Sequence, residues 1–371
     1  MPASTPIHIV CVIGTRPEVI KMAPVVHALS AVDGLRVTVL CSGQHRDLLA
    51  PLARWFGLAF HEDLAVMGDE QTLSGLTSRL VLAFERVLGR ERPDLVMAQG
   101  DTTTVMCAAL CCYYLGIPFA HVEAGLRTRD LKTPFPEEFN RLVADRLARF
   151  HFCPTERAAQ NLRAEGIARD EIHVTGNTVI DALYFTTARL ASQAAPRTRH
   201  DVLLTAHRRE SLGAPLESIF GAVRDLVEEY ESLTVLCPVH PHPGVRATAR
   251  AVFAGHPRIA LVEPLGYPEL VQAMQGARFI LTDSGGIQEE APALGKPVLV
   301  LRRVTERPEV VELGVAELVG TERGDILRAC RRLLADPGHY ARMARTVCPY
   351  GDGHAAERIR DALQAALRAA R

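Results

Sequence analysis

Short apolar runs alternate with helical patterns along the chain, and this alternation restricts the fold more than any single motif. Continuous apolar runs bounded by turn residues read as strands buried on both faces. Strands separated by helical stretches read as parallel sheets with covering helices, an α/β fold class. Ile7–Ile13 leads into Gly14-Thr15-Arg16-Pro17-Glu18 and a helix through Lys21 to Leu29. Arg36–Cys41 leads into Ser42-Gly43-Gln44-His45, Asp94–Ala98 into Gln99-Gly100-Asp101-Thr102, and Pro118–Val122 into Glu123-Ala124-Gly125-Leu126-Arg127. After Pro136-Glu137-Glu138 come a helix over Phe139–Ala148 and strands at Phe150–Cys153 and Glu171–Val174.

The second half repeats the rhythm. Asp201–Thr205 precedes Ala206-His207-Arg208-Arg209-Glu210, and Leu233–Cys237 precedes Pro238-Val239-His240-Pro241-His242. Strands at Ile259–Val262, Arg278–Leu281 and Pro297–Leu301 follow, then helices at Gly324–Ala335 and Ala355–Arg371. The 371 residues suffice for two domains, and the alanine-rich stretch Ala188–Thr198 with Pro196 reads as a helix tail and linker. Almost every polar cluster falls just after a strand, the edge where doubly wound sheets bind ligands. Two such domains facing each other put Arg16, Asp101, Glu123, His207, Ser284 and Arg307 around one cleft.

Composition excludes several classes. A net charge of −1, from 42 basic and 43 acidic residues, carries no footprint for nucleic acid or a membrane surface. No apolar run is long enough for a membrane helix, and Ile7–Ile13 follows no basic leader, so a cytoplasmic location is expected. Nine cysteines without a C-x-x-C spacing read as buried thiols in a reducing compartment. There is no G-x-G-x-x-G after the first strand and no P-loop, so no dinucleotide cofactor is expected. Prolines on both sides of His240 and His242 favour a rigid loop over a metal site, and no metal is expected.

The chemistry-bearing residues each have two readings. Thr282-Asp283-Ser284-Gly285-Gly286-Ile287-Gln288-Glu289-Glu290 breaks a strand at paired glycines, with a short helix expected over Ala291–Pro297. Such a strand-to-helix break offers backbone N–H groups and a dipole end to a phosphate, with a carboxylate placed to accept from a ribose diol. The alternative is an ordinary helix cap. Asp101, Glu123 and Glu137, if they converge, supply an acid and a base for proton transfer at carbon. Otherwise Asp101 caps the next helix, Glu123 pairs with Arg127 at helical spacing, and Glu137 is a first-turn acid. His207 beside two arginines suits a leaving phosphate, or is a solvated loop histidine. Arg16 and Lys21 reach a phosphate or developing charge, or else pair with Glu18.

Taken together, GTRPEVIKMAP from Gly14, GDTTT, HVEAGLRT, PFPEEFNR, TGNTVIDAL, HRRES, PVHPHP, TDSGGIQEEAPALGKPVLV, TERPE and PYGDGHAAERI from Pro349 resemble the non-hydrolysing UDP-N-acetylglucosamine 2-epimerases over nearly the whole chain. The resemblance implies a glycosyltransferase-B-like fold with two Rossmann-like domains. Residues 1–178 form the first, completed by the helix 355–371, and residues 179–354 form the second. It implies reversible inversion at C2 between UDP-N-acetylglucosamine and UDP-N-acetylmannosamine, without a cofactor, through loss of UDP to a 2-acetamidoglucal and its re-addition. It carries Asp101, Glu123 and Glu137 over as acid/base residues and His207 as stabiliser of the departing diphosphate. Arg16 and Lys21 fall at the sugar and phosphate, Ser284, Gly285 and Gly286 at phosphate, Glu290 at the ribose, and Arg307 at the nucleotide. Some members bind a second substrate molecule as activator, and Gln44, His45 and His242 fit that site, although Asp47 and Glu70 replace residues that others use. Leu265 also departs from relatives that place a uracil-contacting glutamine there. A homodimer is implied. The competing readings are a glycosyltransferase of the same fold, a hydrolysing epimerase, and a non-catalytic sugar-nucleotide sensor.

Overall fold

The structure, a computed structural model, describes residues 6–43, 46–67, 72–193, 199–208 and 211–369. The chain divides into two compact units, Met1–Ala182 with Tyr350–Arg371, and Leu183–Pro349.

The first unit runs β1 (Ile7–Ile13), α1 (Arg16–Ser30), β2 (Leu35–Cys41), α2 (Arg46–Phe56), β3 (Glu62–Asp63), α3 (Leu73–Glu91), β4 (Leu95–Gln99), α4 (Thr103–Leu115), β5 (Phe119–Val122), α5 (Glu137–Leu147), β6 (Phe150–Cys153), α6 (Glu156–Ala164) and β7 (Ile172–Val174). Its strands form one parallel sheet in the order β3-β2-β1-β4-β5-β6-β7. Helices cover the sheet, so β1 and β4 are buried at every residue, which is why they read as unbroken apolar runs.

The helix α7 (Thr178–Ser192) carries the chain into the second unit and ends within the stretch expected to be helix tail and linker. There follow β8 (Val202–Thr205), α8 (Ala214–Glu229), β9 (Val235–Pro238), α9 (Pro243–Phe253), β10 (Ile259–Val262), α10 (Tyr267–Gly276), β11 (Phe279–Thr282), α11 (Gly285–Ala293), β12 (Val298–Val300), α12 (Pro308–Glu312), β13 (Ala316–Leu318), α13 (Arg323–Ala335) and α14 (Pro337–Met343). The sheet order β10-β9-β8-β11-β12-β13 repeats the pattern of the first unit, again all parallel. The last helix, α15 (Ala355–Ala369), packs on α1 with Ile359 and Leu363 fully buried. Each such side chain is worth about 2 kcal/mol of burial. Asp181 fixes the start of α15, accepting from Ala355 N at 3.3 Å and Ala356 N at 2.8 Å.

In each sheet the strand order reverses once, between β1 and β4 and between β8 and β11. At such a reversal the turns at the carboxyl ends of the two strands lead off in opposite directions, and the gap between them is where open α/β sheets bind ligands.

Candidate functional site

In the first unit the turn after β1 is anchored from within α1. Glu18 is buried and accepts from the backbone N–H groups of Gly14 and, at 3.1 Å, Thr15. Its other oxygen accepts from Thr102 Oγ1 at 2.8 Å, tying the turn after β1 to the turn after β4. Burial raises the Glu18 pKa against these hydrogen bonds. Gly14 lies so close to Ser42 and Thr104 that an added Cβ would meet Ser42 Oγ and come within 2.8 Å of Thr104 Oγ1. Arg16 opens α1, half-buried.

Lys21, buried on α1, forms an ion pair with Glu123, whose side chain is only 8% exposed. Glu123 Oε2 also accepts from Gln99 Nε2 at 3.0 Å and Asn177 Nδ2 at 3.4 Å. The pairing with Arg127 expected from helical spacing does not form, because Glu123 lies in a turn with φ of +66°. A left-handed glutamate is costly and persists only where its surroundings hold it. Arg127 turns away to Asp145 on α5 at 2.7 Å and to Glu165 at 2.7 Å.

Asp101 does not cap α4. Thr102 does, accepting from Val105 N at 3.4 Å. The Asp101 carboxylate pairs instead with Arg141 on α5, and its carbonyl accepts from Asn140 Nδ2 at 2.9 Å. Glu137 is the first residue of α5, half-buried, one helical turn before Arg141 and on the same face. Its side chain makes no hydrogen bond or ion pair with the described residues, whereas neighbouring Glu138 is buried and accepts from Thr128 N and Arg129 N. Strands β4 and β5 are neighbours, and Gly100 N donates to Val122 O at 3.0 Å. Asp101 and Glu123 therefore project from adjacent strand ends, with Glu137 on the helix that holds Asp101.

Behind these residues lies a buried charge network that sequence reasoning missed. His121 is fully buried; Nδ1 reaches Asp145 Oδ1 at 2.5 Å and Nε2 reaches Gly100 O at 2.7 Å. A carboxylate and a carbonyl can only accept, so both ring nitrogens donate and the imidazole is charged. Burial opposes that charge, but Asp145 outweighs it and raises the His121 pKa. Burial likewise opposes ionisation of Asp145, yet His121 and Arg127 hold its carboxyl down to about 2. The one sequence signal was position: His121 lies two residues before Glu123 in a strand whose other residues are apolar or small.

In the second unit β8 and β11 are joined at their ends by a hydrogen bond of 2.6 Å between Thr205 Oγ1 and Thr282 Oγ1. Asp283, completely buried, accepts from His207 N at 2.7 Å and Arg208 N at 2.8 Å, both on Oδ2. His207 is partly exposed, and its ring stacks on His240 with centroids 5.1 Å apart. Helix α11 starts at Gly285, earlier than expected, with Ser284 as its N-cap. Ser284 makes no side-chain cap bond, and Gly285 and Gly286 form the first helical positions, where backbone N–H groups lack helical partners. Glu289 pairs with Arg307 at 2.6 Å, and Glu290 accepts from Tyr267 Oη at 2.6 Å. Burial opposes ionisation of Glu306, but its hydrogen bond to Arg302 lowers its pKa to about 2.

His242 is exposed and caps α9, accepting from Gly244 N at 3.2 Å, while His240 Nδ1 accepts from His242 N at 3.2 Å. Gln44 and His45 lie outside the described residues. Among the described residues no group of three or more His, Cys, Asp or Glu is placed to hold a metal, and no helix is long and apolar enough to cross a membrane.

Two units with one strand order, carboxylates at the strand ends of the first and a glycine-opened helix in the second, define an α/β enzyme of the glycosyltransferase-B-like class. The family model described as UDP-N-acetylglucosamine 2-epimerase matches residues 27–364. The UDP-N-acetylglucosamine 2-epimerase of Yersinia pestis is 44% identical over 368 residues, spanning 96% of this chain and 98% of its own. The Neisseria meningitidis enzyme, solved bound to UDP-GlcNAc, is 39% identical with a TM-score of 0.91, covering 97% of this chain and 100% of its own. The Methanocaldococcus jannaschii enzyme, solved with UDP-GlcNAc and UDP, is 32% identical with a TM-score of 0.81 over 97% of this chain and 100% of its own. The chain belongs to the UDP-N-acetylglucosamine 2-epimerase family and is an epimerase.

Proposed function

We propose that the protein interconverts UDP-N-acetylglucosamine and UDP-N-acetylmannosamine by eliminating and re-adding UDP. The C2 proton of the sugar has no carbonyl beside it and is not acidic. Removing it as the C1–O bond to UDP breaks leaves the C–H electron pair as the C1=C2 double bond of a 2-acetamidoglucal. Return of UDP to C1, with a proton delivered to the other face of C2, gives the epimer. Inversion thus needs proton-transfer groups for two faces. Asp101 and Glu123, just past the adjacent strands β4 and β5, and Glu137, on the helix α5 whose Arg141 holds Asp101, are that set, and this arrangement is the observation that carries the proposal. A glycosyltransferase needs at most one such base, and a sensor none.

Lys21, paired to Glu123, and Arg16 at the opening of α1 supply positive charge for the sugar and phosphate. Ser284, Gly285 and Gly286 offer the start of α11 to the diphosphate, His207 stabilises it as it departs, Glu290 takes the ribose, and Arg307 supports the nucleotide. The test is incubation with UDP-N-acetylglucosamine in D2O, followed by NMR. Deuterium at C2 together with the manno isomer is expected, and binding without exchange refutes the reaction. Asp101→Asn, Glu123→Gln or Glu137→Gln stops C2 exchange with UDP still bound, whereas Glu290→Ala weakens UDP binding. Normal UDP affinity in the Glu290 variant refutes its assignment.

Eight of the nine cysteines are buried and none lies in a C-x-x-C spacing, which suits a reducing compartment, so we place the protein in the cytoplasm. We assign it a homodimer, supported by Leu82 on α3 and Tyr113 and Tyr114 on the adjoining α4, which are 64%, 67% and 69% exposed. Sedimentation equilibrium giving the mass of a single chain refutes the dimer.

A further inference from the structure

Asp283 carries more charge than its visible task requires. Its Oδ2 accepts both backbone N–H groups of the turn after β8, from His207 and Arg208. An asparagine oxygen could do the same without burying a charge. Its Oδ1 has no hydrogen-bond partner among the described residues, although the residue is 0% exposed. A buried, unsatisfied carboxylate oxygen costs more than an orphaned neutral group. The group this oxygen faces is the imidazole of His207, with Nδ1 at 3.4 Å. That separation lies just beyond a normal hydrogen bond, and a small ring rotation closes it.

We propose that Asp283 is a positioning residue for His207: its buried Oδ1 receives Nδ1–H and so turns Nε2 toward the departing diphosphate. The proposal rests on the reading that His207 acts on that diphosphate. The backbone bonds to Oδ2 fix the turn, and the second oxygen fixes the ring. His240 lies flat against the other side of the imidazole, with the planes 5° apart, which leaves rotation within the stack as the motion still to be constrained. Among the described residues, the ionisable groups around the ring are Asp283 from the end of β11 and His240, with His242, from the loop after β9. Burial first, then His207 and His242, lower the pKa of His240; its ring meets that of His207 face to face, so Asp283 is the acceptor within reach of Nδ1–H.

The test combines ring ¹⁵N NMR with kinetics. In the unsubstituted protein at a pH where His207 is neutral, the proton is expected on Nδ1, with the resonance assigned by its loss in His207→Gln. An Nε2–H tautomer there overturns the proposal without any Asp283 variant. In Asp283→Asn the amide oxygen keeps both backbone bonds and the amide N–H₂ faces Nδ1, so the proton moves to Nε2. The expected kinetic result is a fall in kcat of about 100-fold with KM little changed, and no further fall when Asp283→Asn is added to His207→Gln. An unchanged tautomer, or an equal fall in the His207→Gln background, assigns Asp283 a purely structural role and overturns the proposal. Full activity in His207→Gln alone refutes the diphosphate role of His207, and with it the proposal.

Discussion

Replacing His121 by asparagine tests the buried network behind the carboxylates. The amide nitrogen can stand where Nδ1 stands and still donate to Asp145. The positive charge is lost, and so is the Nε2 donor to Gly100 O at 2.7 Å. Asp145 keeps Arg127 at 2.7 Å and Gly125 N at 3.2 Å, so it is not left bare. Losing one partner of a buried pair costs roughly 3–5 kcal/mol, and with two partners remaining the lower end, about 3 kcal/mol, is expected. For a unit of about 200 residues this lowers Tm by about 6–12 °C. The pH dependence follows from the direction of the shifts. The His121 pKa is raised above its ordinary 6.5, so its contribution is complete below that value and disappears as pH rises through the raised one. The Asp145 pKa is lowered from 3.8 to about 2, so its contribution stands above 3.8 and disappears only as pH falls toward 2. Melting followed by circular dichroism from neutral to alkaline pH therefore shows a decline in the unsubstituted protein that is absent in His121→Asn. Equal alkaline slopes in the two proteins, or a loss well under 1 kcal/mol, refute the charged-imidazole assignment. The variant also lowers kcat, because Gly100 precedes Asp101 and His121 precedes Glu123 by two residues.

Two further outcomes follow from packing. Gly125 has φ of +86°, and a Cβ there would strike the carbonyl of Ala158, so Gly125→Ala destabilises the first unit by about 3 kcal/mol in denaturant titration, and an unchanged midpoint contradicts the placement. Eight of the nine cysteines are buried and only Cys348 is half-buried, with burial pushing Cys11 up to about 12. A disulfide reagent at pH 8 is therefore expected to find at most one thiol in the native protein and nine after unfolding, and rapid modification of several native thiols refutes that burial.

Much of this architecture was legible because parallel strands covered on both faces must be apolar throughout. Ile7–Ile13, Phe150–Cys153 and Ile259–Val262 are strands with the boundaries expected from sequence. What stayed hidden depends on contacts across the fold. The strand order that sets β1 beside β4 leaves no local mark, and β3 is only the polar pair Glu62-Asp63. Glycine is a poor helix former, so the extent of α11 was less legible than its glycine-paired start; the end of β11 delivers Gly285 and Gly286 directly into a helix that ends at Ala293. Arg127 shows the same limit at the site. Its spacing from Glu123 suggested a helical pair, but no helix runs between them, and its partners come from α5 and from the end of α6. The motifs marked the residues at the strand ends and contain three of the side chains that hold them, His121, Arg141 and Asp283, but give them no role, while Asp145 lies outside every motif.

Those holding residues follow one physical rule in both units. At each reversal of strand order, two neighbouring strands end in turns that diverge, and nothing in the sheet ladder fixes the turns against each other. In the first unit Glu18 accepts two backbone N–H groups from the turn after β1 and reaches Thr102 in the turn after β4. In the second unit Asp283, at the end of β11, accepts two backbone N–H groups from the turn after β8. The carboxylate comes from the helix after the first strand in one unit and from the opposing strand in the other, so the two arrangements are not copies of one local motif. Each answers the same need: a buried acceptor with two oxygens can join two turns that backbone pairing cannot. Burial of both carboxylates follows from that position beneath the turns, and in each one oxygen accepts two backbone donors. Arg16 and His207, the side chains proposed for the diphosphate, therefore stand on turns whose backbone is already fixed, a condition for presenting charge without reorganisation.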